Sequence, residues 1–123
     1  MKVEQIDIEK IKPYIYNPRK NLNSSKIATS IKKFGFQQPI VVDKEFIIVV
    51  GHTRYEAAKI LELKKVPVVV ADLTKSKAKA YRIADNKLNE HSDWDYNLLN
   101  TEFKDLVKDD YNLEDLGFSE NEI

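Results

Sequence analysis

The sequence predicts a small α+β domain, and three observations carry that prediction. Two β-branched runs, Pro39-Ile-Val-Val and Phe46-Ile-Ile-Val-Val, are separated only by Asp43-Lys-Glu, the pattern of a hairpin. A further run, Val66-Pro-Val-Val-Val, reads as another strand. Between and after these runs, apolar residues recur at helical spacing behind capping residues. The expected architecture is a small mixed sheet with flanking helices, followed by a C-terminal helical extension.

Taken in order, Val3 to Ile8 mixes apolar and acidic residues in near alternation and suits a first strand. Lys12 to Asn23 contains Pro13, Asn17, Pro18 and Asn21, residues that favour turns over ladders. Ser24 or Ser25 can cap a helix running to Phe34, with Ile27, Ile31 and Phe34 spaced for one buried face and Gly35 ending it. The hairpin follows, and Gly51 leads from its second strand into a helix over residues 53–63, with Ala57, Ile60 and Leu61 inward. Pro67 marks the start of the next strand or a sheet edge, because proline cannot donate to a ladder. From Thr74 a long helix would bury Ala78, Tyr81, Ala84 or Asp85, and Leu88. Asp93 would cap a further helix with Leu98, Leu99, Phe103, Leu106 and Val107 on one face, Trp94 anchoring it to the core. A last turn would begin at Ser119.

The chain has 123 residues, 42% hydrophobic and 33% charged, enough for one core and too few for two ordinary domains. Without cysteine there is no disulfide scaffold, thiol nucleophile or Cys-based zinc site, and His52 and His91 lack ligand spacing for zinc. No apolar stretch spans a bilayer and the N-terminus lacks a signal-peptide pattern, so a soluble, cytoplasmic protein with no membrane partner is expected. The formal charge is zero but unevenly spread. Residues 10–33 hold seven basic residues and no acid, whereas residues 90–123 hold eleven acids against Lys104 and Lys108. A basic stretch can attract phosphates. Equally, it can be a solvated face balanced by the acidic tail within one fold.

Residues 1–92 are expected to form the domain, and 93–123 an acidic helical extension. The chain is expected to be one part of a longer protein.

The sharpest local feature is Val49-Val50-Gly51-His52-Thr53-Arg54, a strand passing through glycine straight into a helix. The first N–H groups of a helix have no intrahelical acceptor and form a ready anion site. Thr53 adds a hydroxyl and Arg54 a guanidinium fork. An ordinary connection with Arg54 in a structural ion pair explains the same residues. Asn17-Pro18-Arg19 offers a second phosphate contact through Arg19, or a plain surface loop. The amides of Gln37-Gln38 could read a base or cap the turn. Asp85-Asn86, poor helix formers in mid-helix with Glu90 and His91 beyond them, suit either magnesium coordination or a polar network tying helix to sheet.

These segments, in this order, resemble the N-terminal domain of the ParB/sulfiredoxin superfamily. The matching pieces are Asn17-Pro18-Arg19, Ile27 to Val42, Val50-Gly-His-Thr-Arg, Val66-Pro-Val-Val-Val and Ile83-Ala-Asp-Asn. Arg82 to Glu90, Trp94-Asp95 and Gly117-Phe118-Ser119 look like a branch found in phage and mobile-element proteins and fused to DNA methyltransferases. In partition proteins of this superfamily the domain binds a nucleoside triphosphate with magnesium and acts as a switch. The resemblance therefore implies nucleotide and phosphate binding by Arg19, Gly51, His52, Thr53, Arg54 and Asn86, with Asp85 on Mg²⁺. The family's glycine-glutamate-arginine-arginine motif falls on residues 51–54, with Thr53 replacing its first arginine. Asn89 replaces the arginine after its acid–asparagine pair. Sulfiredoxin chemistry is set aside, since its cysteine falls at His52.

The leading expectation is a nucleotide-binding regulatory or specificity module in DNA modification or segregation. The runner-up is a nucleotide-dependent enzyme (kinase, phosphohydrolase or nuclease) with Glu56 or Asp85 as the catalytic candidate. A third reading is a DNA adaptor without nucleotide, contacting phosphates through Lys20, Lys26, Lys32 and Lys33 or through a fused domain. The absence of a helix-turn-helix after residue 92 counts against independent sequence-specific DNA binding. A second copy of the chain is a further candidate partner.

Overall fold

In the computed structural model, which describes residues 2–17, 23–89 and 94–119, the chain forms a four-stranded sheet with flanking helices. The strands are β1 (Glu4–Asp7), β2 (Ile40–Val42), β3 (Ile48–Val50) and β4 (Lys65–Val70). The helices are α1 (Ser24–Phe34), α2 (His52–Ile60), α3 (Lys75–Asn89) and α4 (Tyr96–Lys108). Sheet order is β1-β4-β2-β3, with β4 antiparallel to β1 and parallel to β2, and β2 antiparallel to β3. The mixed sheet and its helices match the expected fold class.

The β-branched runs form the centre because they are buried where the helices pack. Ile40, Val42, Ile48, Val66 and Val68 are the largest fully buried side chains, joined by Ile11, Tyr55 and Ala58 in one cluster. The hairpin turn is fastened by Asp43, whose Oδ1 accepts from the backbone N–H of Glu45 at 2.8 Å and of Ile47 at 3.1 Å. These bonds hold the turn in which Phe46 sits at φ 62°, a conformation unusual for a bulky residue.

Several expectations about helix faces are corrected. In α1 the buried residue is Ala28, and Phe34 is exposed. In α2 Tyr55, Ala57 and Ala58 are buried and Ile60 faces solvent. In α3 Ala78 and Arg82 are buried, whereas Tyr81, Ala84 and Leu88 are exposed. Small residues let a helix approach its neighbour closely, so each buried stripe includes alanine, joined by Tyr55 in α2 and Arg82 in α3. α1 packs on α2 in this way, and α3 lies against β3.

Helix ends also differ in detail. Asn23 occupies the N-cap position of α1 without a side-chain cap bond, and Ser24 and Ser25 lie within the helix. Gly35 ends α1 with φ 82°, as expected of glycine there, its N–H bonded to the carbonyl of Ile31. Thr74 Oγ1 accepts from Lys77 N at 3.1 Å, fixing the start of α3. α4 is capped by Asp95, which accepts from Asn97 N and Leu98 N; Asp93 lies outside the described residues.

Pro67 lies within β4, an internal strand, opposite Gln5 of β1. Its missing donor is tolerated because pairing with β2 begins only at Val68, so β4 has a single neighbour at Pro67. On α4, Phe103 is buried while Leu98 and Val107 are exposed. Trp94 is exposed too, and contacts Phe118, which stacks edge-on against Phe103 at 4.9 Å. Trp94 thus belongs to a separate aromatic cluster that holds the extension, and not to the sheet core.

Candidate functional site: a cleft at the start of α2

β3 ends in Val50, and Gly51 turns the chain into α2 with φ 113°. Two constraints demand glycine here. Side chains rarely adopt that φ, and a Cβ would lie 3.3 Å from both Cα and Cγ1 of Ile40 on the neighbouring strand. Gly51→Ala is therefore expected to destabilise the domain by about 1–3 kcal/mol, read as a lowered denaturation midpoint. An unchanged midpoint would contradict this geometry.

The corner opens onto a cleft of about 610 Å³. Gly51, His52, Thr53 and Arg54 line one side, Asp85 and Asn86 of α3 another, and Asn17, Asn23 and Gln38 add amides. Ile27, Pro39, Val41 and Val49 supply apolar wall. The first intrahelical bond of α2 is Tyr55 N to Gly51 O at 2.9 Å, so the N–H groups before it are the unsatisfied ones of the helix start. Together with the helix dipole they make this end of the cleft attractive to an anion.

The Arg54 guanidinium is half-buried, and Nη2 donates to Gln38 Oε1. Burial pulls its pKa below the ordinary arginine value, while the Asp85 carboxylate opposes that shift. A cation held out of water with only part of its donors used is suited to accept a charged ligand. Asn86 Nδ2 donates to the Arg82 carbonyl at 3.0 Å, which leaves its side-chain oxygen as the remaining acceptor. Among the described residues no group of three or more His, Asp or Glu could hold a metal. Asp85 is the one carboxylate among the described residues that line the cleft.

His52 lines the cleft, and its side chain is also engaged with the preceding segment. Its Nε2 accepts the backbone N–H of Tyr14 at 3.1 Å. Burial, and then the positive charge of Arg82, lower its pKa to about 4, so the ring is neutral and can accept. Because the folded pKa lies below the unfolded value near 6.5, the unfolded chain binds the extra proton first as pH falls. The stabilisation is complete above pH 6.5 and is lost as pH falls toward about 4. His52→Gln, titrated alongside the wild type by thermal melting, should remove that part of the pH dependence; identical profiles would contradict the neutral-acceptor assignment.

Of the remaining expected residues, Gln37 caps the turn, Nε2 donating to Phe34 O at 2.8 Å, and Gln38 is the one at the cleft. Glu56 is half-buried on α2 and does not line the cleft. Lys26 Nζ donates to Gly117 O at 3.1 Å, and Lys33 lies 3.6 Å from Asp115 and over the Tyr111 ring. These two lysines are met by the acidic extension, as the balanced-charge reading anticipates. Lys32 is exposed. Arg19, Lys20, Glu90 and His91 lie outside the described residues.

Three features escaped sequence reasoning: Asn23 and Ile27 as cleft lining, and Arg82 as a buried hub. Arg82 Nε donates to Ile48 O at 2.8 Å, Nη2 lies 3.8 Å from Asp43 Oδ2, and the guanidinium carbon sits 3.8 Å from the centroid of the Tyr14 ring. An arginine in a lysine-rich helix carries no local sign of such burial.

A mixed four-stranded sheet whose β3–glycine–α2 corner opens on a polar cleft defines the class. The chain belongs to the ParB N-terminal domain family, whose model matches residues 1–87. The probable chromosome-partitioning protein ParB of Rickettsia conorii is 36% identical over 87 residues, covering 68% of this chain and 30% of that protein. The matched stretch thus spans less than a third of that relative. The ParB-like nuclease domain-containing protein YnaK of Escherichia coli is 32% identical over 72 residues, covering 57% of this chain and 83% of YnaK. Among solved structures, the C-terminally truncated ParB of Caulobacter crescentus complexed with CTP-γ-S superposes with TM-score 0.78 at 25% identity, covering 94% of this chain and 69% of that one. No helix among the described residues is long and apolar enough to cross a membrane.

Proposed function

We propose that the chain is a nucleoside-triphosphate-binding module of the ParB type, regulating or directing a process on DNA. The single observation that carries the reading is the Gly51 corner. Helix N–H groups, a half-buried Arg54 and a cleft large enough for a nucleotide converge there, in a fold that in the Caulobacter relative holds CTP-γ-S. Thr53 and Arg54 would bind phosphate, with Arg19 as a further phosphate contact, and Asp85 and Asn86 would hold the accompanying Mg²⁺. The apolar wall of Ile27, Val41 and Val49 would take the flat face of the base or ribose.

Partition in chromosomes is the role named for the Rickettsia relative. For this chain the finer reading is a phage or mobile-element module acting beside a DNA methyltransferase, with residues 1–92 as the nucleotide-binding domain and 93–123 as an extension toward a further domain. A homodimer that closes on nucleotide would give such a module its switch. Catalysis has weaker support, since Glu56 is away from the cleft and Asp85 is its one carboxylate among the described residues.

Calorimetric titration with CTP, ATP, GTP and S-adenosylmethionine, with and without Mg²⁺, tests the proposal. Saturable binding of one triphosphate, strengthened by Mg²⁺, is expected. Binding of none of them would overturn it and leave a DNA adaptor or scaffold.

A further inference from the structure

We infer that His52 acts on the cleft as a positioning residue, pinning the loop that leads into it, and that Tyr14 is the residue it pins. The inference rests on the nucleotide reading above for its effect on affinity, and on geometry for the pin itself. Tyr14 is held from two directions. Its ring lies over the buried Arg82 guanidinium, 3.8 Å from carbon to centroid, and Arg82 is itself fixed to Ile48 O and beside Asp43. Its backbone N–H is received by His52 Nε2 at 3.1 Å. One turn further, Asn17 N donates back to Tyr14 O at 3.2 Å, and Asn17 lines the cleft. Tyr14 is thus the fixed point from which the cleft-lining end of the loop departs.

The arrangement also explains why a histidine at the first position of α2 does not serve as a cationic phosphate ligand. Its acceptor nitrogen is spent on Tyr14, and a proton there would meet both the helix N-terminus and Arg82. A neutral ring is the form that can receive an N–H donor. The side chain at position 52 therefore works through the loop, while its own backbone N–H belongs to the helix start.

Removing the acceptor frees the loop, whose ordering is then added to the cost of binding, a loss of about tenfold in affinity. His52→Ala in the full chain is expected to weaken binding of CTP with Mg²⁺ by about that factor. His52→Gln, whose amide oxygen can take the place of Nε2, should restore affinity to within about threefold. Thermal melting of both variants runs alongside, because a role in stability alone would lower the midpoint while leaving the affinity of the folded fraction unchanged. Hydrogen exchange at the Tyr14 amide supplies a second readout that needs no nucleotide: faster in His52→Ala by about tenfold, and returned toward wild type in His52→Gln. If the wild type binds no nucleotide, the proposed function fails while the exchange data still decide the pin. Unchanged Tyr14 exchange in His52→Ala, or glutamine no better than alanine in either assay, would overturn the inference.

Discussion

Arg54→Ala is expected to weaken triphosphate binding by about 100-fold, the equivalent of losing two charge-assisted hydrogen bonds of about 1.5 kcal/mol each. The figure follows from where Arg54 stands. Its guanidinium is half-buried at the first turn of α2, next to the unsatisfied N–H groups that define the anion site. Gln38 holds one of its nitrogens, and Asp85 faces it across the cleft. The side chain is thus oriented before a ligand arrives, and little conformational entropy remains to be lost on binding. Arg54→Lys keeps the charge and loses the fork, so an intermediate loss of about tenfold is expected. Titration calorimetry on both variants checks this, with thermal melting as control. Arg54 is not among the residues of the sheet-core cluster, and its removal relieves a desolvated charge, so the melting point should move little. Affinity unchanged in both variants would place phosphate recognition elsewhere in the molecule.

The corner that holds Arg54 was legible in the sequence because its signals are local. A β-branched run, a glycine and a helix-forming stretch follow one another within ten residues, and each demands the next. The same holds for Gly35 and for the Asp43 turn, where short-range backbone geometry decides the outcome. Reading failed where the outcome depends on distant partners. Tyr14 and His52 are 38 positions apart, and Arg82 and Ile48 are 34 apart, so no window on the chain contains either pair. Helix faces were misjudged for a related reason. Periodicity locates an apolar stripe but favours bulky residues within it, whereas Ala28, Ala57, Ala58 and Ala78 are what the close-packed contacts required. Phe34, Ile60 and Tyr81 were left outside as a result. The charge asymmetry was visible, but only tertiary structure shows Lys26 and Lys33 meeting Gly117 and Asp115 of the extension.

Arg82→Ala is expected to produce the largest loss of stability of any substitution discussed, about 3 kcal/mol. Arg82 is 4% exposed and Asp43 is 8% exposed. Their separation of 3.8 Å makes the direct pairing modest, and surface ion pairs at such distances contribute little. Burial changes the balance. Without Arg82 the Asp43 carboxylate stays largely buried, still engaged with Glu45 N and Ile47 N but without its countercharge. The Ile48 carbonyl loses its side-chain donor, and the Tyr14 ring loses the cation beneath it. Adding Asp43→Asn to Arg82→Ala should recover part of the loss, because the uncompensated charge is then removed while the amide oxygen still accepts from the turn. Urea denaturation of the single and double variants measures that coupling. A double variant no more stable than Arg82→Ala would mean that the cost lies in the Ile48 and Tyr14 contacts rather than in the buried carboxylate. The position of Arg82, one turn before Asp85 and Asn86 on α3, ties this stability to the cleft. The side chain that anchors the helix to β3 also sets the register in which the next turn faces the cleft.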